Sequence, residues 1–269
     1  PRATGTFHNP NTFGTFLMCG VVFLFALVVN HRFQKWKAVF LLASLAAAGA
    51  GLVTTFSRSN WVAAGVGIVA ALIYARKLRY LLWVGLCGSA AIVAVKEFVP
   101  FADHIFQRLL SIFTLLTDFN DVGRESGSAR LYFIIAGLEM WLDHPIFGVG
   151  WRAFPLLFDA YKSVDFPAWV PTKESHTLAA NMLAELGLVG FTASAWIVWR
   201  VFSRGIAAVG QAADPYLRAV LIALLGMFLS FQVSLSATAD FSNNFLWFFT
   251  GMIFAVIHLS EREMADDNT

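Results

Sequence analysis

TKESHTLAANMLAELGLVGFTASAWIVWR, residues 172–200, decides the fold. From Leu178 it stays apolar long enough to cross a bilayer, whose hydrocarbon core takes about 20 such residues in helical form. Its mouth carries Lys173, Glu174 and His176. The rest of the chain agrees with a lipid environment. Of 269 residues, 58% are hydrophobic and 13% charged, and the mean hydropathy is +0.67. A soluble domain carries about 25% charged residues, and it must cover itself with polar groups that this chain lacks. The expected fold is therefore all-α, a polytopic transmembrane helical bundle. A net charge of +2 argues for no nucleic-acid partner. Cys19 and Cys87 lie inside apolar runs and read as small core residues, not as a disulfide or metal pair.

Seven runs are long enough to span: Thr12–Asn30, Ala38–Thr55, Trp61–Ala75, Tyr80–Val99, Leu178–Val201, Tyr216–Ser236 and Phe245–Leu259. Gly65 and Gly67 loosen the third. Three segments follow: spans one to four (1–99), a long loop (100–177), and spans five to seven with a polar tail (178–269). The basic residues fix the expected orientation. Arg32, Lys35 and Lys37 follow span one, Arg76, Lys77 and Arg79 follow span three, Arg200, Arg204 and Arg218 lie between spans five and six, and Arg262 follows span seven. Short basic loops stay in the cytoplasm, which puts the start of the chain and the long loop outside. A chain that starts PRATGTF, outside and without a leader, suggests that earlier spans precede it.

The loop contains HIFQRLLSIFTLL (104–116) and SARLYFIIAGLEMWLDHP (128–145). Both have apolar residues at helical spacing and suit helices lying on the membrane face. SGS before Ala129 reads as a helix start, Pro145 as its stop, and HPIFGVGWRAF as a glycine-bearing turn into another amphipathic piece. EREMADDNT at the end reads as a frayed tail.

Chemistry-bearing residues gather on the outer face: Arg2, Arg58, Arg130, Arg152 and His176. Arg58 sits in a tight hairpin, where a guanidinium either snorkels to the interface or pairs with an anion, and its planar fork suits phosphate. Arg130 is near a helix start, where free N–H groups also favour anions. Arg152 reads as a headgroup contact. His176 is a surface residue or a general base, since imidazole titrates near neutral pH. Glu174 would orient it or simply favour the helix N-terminus. Glu185 lies deeper and demands a partner or a polar cavity. Asp240, Asn243 and Asn244 read as a turn before span seven. DFND (118–121) is explained by acids in a turn. No HExxH, CxxC or Walker sequence occurs, so any chemistry is expected to be metal-independent, cofactor-free and arginine-rich.

RATGTFHNPNTFG (2–14), Ser57-Arg58, SGSARLYFIIAGLEMWLDHPIFGVGWRAF (126–154) and SHTLAANMLAELGLVG (175–190) occur in this order. Together they resemble the O-antigen ligase and O-antigen polymerase family of the bacterial envelope. The resemblance implies a multi-span glycosyltransferase of the inner membrane with its active site on the periplasmic side. Its donor would be an undecaprenyl-diphosphate-linked glycan and its acceptor a lipid or glycan. By motif it implies diphosphate binding by Arg2, Arg58 and Arg130 and catalysis by His176, with Thr177 where an Asn often stands. Glu174, Glu185 and Arg152 would support them, with no metal. A polymerase and a protein oligosaccharyltransferase share that donor. An anion or lipid-linked-sugar transporter is the non-enzyme alternative, and it would need more intramembrane polar residues than Glu185.

Overall fold

The computed structural model describes residues 2–7, 9–86, 88, 107, 127–163, 178–236 and 244–266. The helices are α1 (Pro10–Asn30), α2 (Lys35–Thr54), α3 (Arg58–Tyr74), α4 (Gly127–Asp143), α5 (Phe154–Tyr161), α6 (Leu178–Gln211), α7 (Pro215–Leu235) and α8 (Asn244–Asp266). No strand occurs among the described residues. Among the described residues, five helices are long and apolar enough to cross a membrane, and α3 is apolar but shorter at 17 residues. They are the predicted spans one, two, three, five, six and seven. Span four begins as helix at 80–86; most of its remainder, and nearly all of 104–116, lie outside the described residues.

The chain forms two compact units. The first comprises 1–112, 201–234 and 245–269, the second 113–200 and 235–244. In the first, α1 packs against α2 and α3. The Asn9 side chain caps α1 by accepting the Asn11 N–H at 2.8 Å, and Pro10 takes a position where no N–H is needed. Phe56 adopts a left-handed conformation (φ 52°) and turns the chain from α2 into α3. The amine of Lys77 donates to the Val29 carbonyl at 2.7 Å, and the His31 ring meets Tyr216 edge-on at 5.2 Å. These contacts bring the ends of α1 and α3 and the start of α7 to one basic end of the unit. Arg2 and Arg58 lie at the other. On α2, Trp36, Val39 and Phe40 are about two-thirds exposed, as a face turned to lipid can be without cost.

Gly67 does not merely loosen α3. It faces Gly226 of α7, where a Cβ would lie 3.0 Å from the Gly67 carbonyl oxygen. The two backbones touch because neither residue carries a side chain, the usual device of helices packing in lipid. Ser230 of α7 then reaches the Ala63 carbonyl at 2.8 Å.

The second unit is built on Phe133, Ala136 and Met140 of α4, Phe154 and Phe158 of α5, and Ala184 of α6, all buried. The three phenyl rings pack at centroid distances of 5.0 to 6.4 Å. As expected from Pro145, α4 ends at Asp143. Tyr161 donates to Asp143 at 2.9 Å, tying α5 back to the end of α4 and holding the phenol pKa above its ordinary value.

Three expectations are corrected. Span three starts at Arg58, not Trp61, because Ser57 is already the residue flanking the helix. The tail is helical through Asp266, helped by an Arg204–Glu261 ion pair at 2.8 Å. Span five is not continuous. It runs on to Gln211 and breaks at Gly187, whose φ is 64° and ψ is −165°.

Gly67→Leu is expected to push α3 from α7 and to cost about 1–3 kcal/mol, as overpacking does. Gly65→Leu, whose Cβ meets nothing within 4 Å, should leave stability little changed. Thermal melting of the two variants in detergent checks the pair.

Candidate active site

The break in α6 is made by the turn after α4. In an unbroken helix the N–H groups of Leu188 and Val189 would bond the carbonyls of Ala184 and Glu185. Here Leu188 donates to Pro145 at 2.9 Å and Val189 to Ile146 at 3.1 Å. The two vacated carbonyls accept from Val149 at 2.8 Å and Gly150 at 3.0 Å. Two helical bonds are thus replaced by four to the 145–150 segment, so these two N–H groups and two carbonyls all keep a partner, as an apolar setting requires. Gly148 and Gly187 make this possible. Both have positive φ (71° and 64°), and a Cβ on Gly148 would strike the Glu185 backbone, one on Gly187 the Ile146 carbonyl.

Glu185 completes the splice. It is 5% exposed, and its carboxylate accepts the N–H of Arg152 at 3.0 Å and of Phe154 at 3.2 Å. The partner that the sequence demanded is therefore a pair of backbone amides at the start of α5. One of them belongs to Arg152, held in the left-handed region (φ 59°). A non-glycine residue there stores about 1 kcal/mol or more, which the charge-assisted bonds offset. Arg152 itself is exposed.

In the first unit, the Arg2 guanidinium donates through Nε to the Thr55 carbonyl at 2.8 Å and through Nη2 to Asn11 Oδ1 at 2.7 Å. Ala3 N–H adds a bond to Thr54 at 3.1 Å. The segment before α1 is thereby clasped onto the turn that carries Arg58. Arg58 is the first residue of α3 and half-buried. Two of the three arginines predicted from remote parts of the sequence thus share one corner.

Beneath them lies a residue that the sequence reading missed. Asn60 is fully buried. Its Oδ1 accepts from Ser234 at 2.7 Å and Thr15 at 3.2 Å, and its Nδ2 donates to the Asn11 carbonyl at 2.9 Å and Ser57 at 3.0 Å. All four bonds that the amide can make are made. They bind α1, α3 and α7 together two residues, about half a helical turn, from Arg58. The signal was there: an amide two residues after Arg58 in an apolar helix, with Ser230 and Ser234 spaced by four on another.

Arg130 is in the first turn of α4, and its side chain lies outside the described residues, as do Glu174 and His176. Asp240 and Asn243 fall there too. Cys19 is buried, as expected of a core residue; Cys87 is not among the described residues. Among those that are, no three His, Cys, Asp or Glu side chains come together as a metal site.

Residues 42–195, more than half of the chain, match a family model described as O-antigen ligase. The chain is also 24% identical, over a 273-residue alignment, to the teichuronic acid biosynthesis protein TuaE of Bacillus subtilis. That alignment takes in 96% of this chain and 52% of TuaE, so the chain spans about half the length of this curated relative.

Glu185→Gln leaves one acceptor oxygen for two N–H donors and is expected to cost about 1–3 kcal/mol. The readable consequence is faster cleavage by trypsin after Arg152 in limited proteolysis. Asn60→Ala removes four hydrogen bonds, to Thr15, Ser57, Ser234 and the Asn11 carbonyl, and should lower the melting temperature by a comparable free energy.

Proposed function

This chain belongs to the O-antigen ligase family, and we propose that it is a membrane glycosyltransferase moving a glycan from undecaprenyl diphosphate to an acceptor sugar. The observation that carries the reading is the seat of Arg2 on the α2–α3 turn beside Arg58. Two guanidinium groups at one end of an apolar bundle form a corner suited to a lipid-linked diphosphate. Its charge lies at the interface and its tail among helices. Arg130, in the first turn of α4, is the third proposed diphosphate ligand.

In this reading His176 takes the proton from an acceptor hydroxyl as that oxygen attacks the anomeric carbon of the donor. The bond from that carbon to the diphosphate oxygen breaks, and undecaprenyl diphosphate leaves with the electron pair. The arginines stabilise the negative charge that develops there, the part a metal ion plays elsewhere. One displacement inverts the anomeric centre. Glu174 orients His176, while Glu185 acts at a distance by fixing the start of α5. The site faces the periplasm or, more generally, the extracytoplasmic side of the inner membrane, opposite the basic end. A second reading is a polymerase, which uses the same donor but takes another carrier-linked glycan as acceptor; the relative TuaE is named for the biosynthesis of teichuronic acid.

A transfer assay with purified full-length protein and a lipid-diphosphate glycan tests this. His176→Ala is expected to lower the rate by about 10² to 10⁴-fold, and Arg58→Ala by about 10² to 10³-fold. EDTA should change nothing. Full activity in correctly folded His176→Ala removes the base, and loss of transfer in EDTA removes the arginine-for-metal argument.

A further inference from the structure

The basic end of the first unit holds a cavity that the transfer reaction does not use. It measures about 230 Å³ and is lined by Ile73, Tyr74 and Arg76 of α3 and the turn after it, Ile206, Val209 and Gly210 of α6, and Arg218 of α7. Its neighbours with charge are otherwise engaged. Lys77 is spent on the Val29 carbonyl. Arg204 pairs with Glu261. The Asp214 carboxylate accepts the Tyr216 N–H at 2.8 Å and caps α7. Among the described residues, neither the Arg76 nor the Arg218 guanidinium meets a carboxylate, and both are exposed. The apolar wall opens outward through Ile73 and Ile206, which are 51% and 47% exposed.

We propose that this cavity is a binding site for the headgroup of an anionic phospholipid. Arg76 and Arg218 take the phosphate from two sides, as guanidinium forks do. Tyr74 supplies a hydroxyl, and the acyl chains lie along Ile73 and Ile206. A lipid fits better than a free anion because two of the seven lining residues, Ile73 and Ile206, are apolar and face outward at the helix ends, where headgroups sit. The cationic excess at this end draws anionic lipid to it. Bound there, the lipid joins α3, α6 and α7 at the end remote from Arg2 and Arg58, so it stabilises the bundle without entering the reaction.

Full-length protein in a neutral detergent, titrated with phosphatidylglycerol and followed by native mass spectrometry and thermal melting, tests the site. Wild type is expected to retain phosphatidylglycerol and melt higher with it, while phosphatidylcholine and inorganic phosphate do neither. The R76Q/R218Q double variant should bind phosphatidylglycerol about tenfold more weakly or worse, and R76K/R218K should recover part of that affinity. R262Q, at the same end but outside the cavity, should behave as wild type. Equal binding of phosphatidylcholine, an equal melting shift from inorganic phosphate, or unchanged affinity in R76Q/R218Q each overturns the proposal. The readout is lipid binding, so it stands or falls independently of glycan transfer.

Discussion

A polar group inside an apolar bundle must find its partner within the protein, and this structure is arranged around that requirement. It is clearest where α6 breaks. Removing two helical hydrogen bonds in a dry setting would cost several kcal/mol per orphaned group. The 145–150 segment replaces both bonds and adds two more. Glu185 then extends the same connection through its carboxylate to the start of α5. The loop helices and the first turns of α6 thereby become one structure, whose core is Phe133, Met140, Phe154 and Phe158.

Asn60 obeys the same rule in the other unit. A half-satisfied amide would weaken the bundle, whereas a fully satisfied one locks three helices in one register. Because Asn60 lies only two residues beyond Arg58, the start of α3 that carries the arginine is fixed by a residue that need not touch substrate. Arg2 is held by equally local means, a backbone carbonyl and one side-chain amide.

The two ends of the first unit differ in kind. At one, two arginines are supported by a buried polar network of Thr15, Asn60 and Ser234. At the other, basic residues are numerous, and two of them flank a cavity with an apolar wall. The first arrangement suits charge held in a fixed geometry. The second suits an anchored headgroup. Neither needs charge within the middle of the bundle, where the close contact of Gly67 with Gly226 leaves no room for it.

Much of this was legible in the sequence by itself. Apolar length alone determined that the chain is helical and membrane-spanning, because a bilayer tolerates so few other structures. The placement of Arg and Lys predicted which helix ends lie together, and four short motifs pointed to the family that the match over residues 42–195 then showed. Pro145 marked the end of α4 because proline lacks the N–H a helix needs. What the sequence could not decide was hydrogen-bond bookkeeping between remote segments. Residues 178–201 read as one continuous span, since nothing in their hydropathy reveals that the carbonyls of Ala184 and Glu185 are claimed by Val149 and Gly150. Glu185 read as an acid in need of a partner, but a partner made of backbone amides has no signature in side-chain identities. Asn60 and its hydroxyl partners Thr15, Ser57 and Ser234 are visible as residue types, but only the fold shows that they meet and join three helices. Pattern determines which segments are buried in lipid; only the tertiary structure decides which polar atoms meet there, because each such bond depends on where two distant stretches of backbone come to rest.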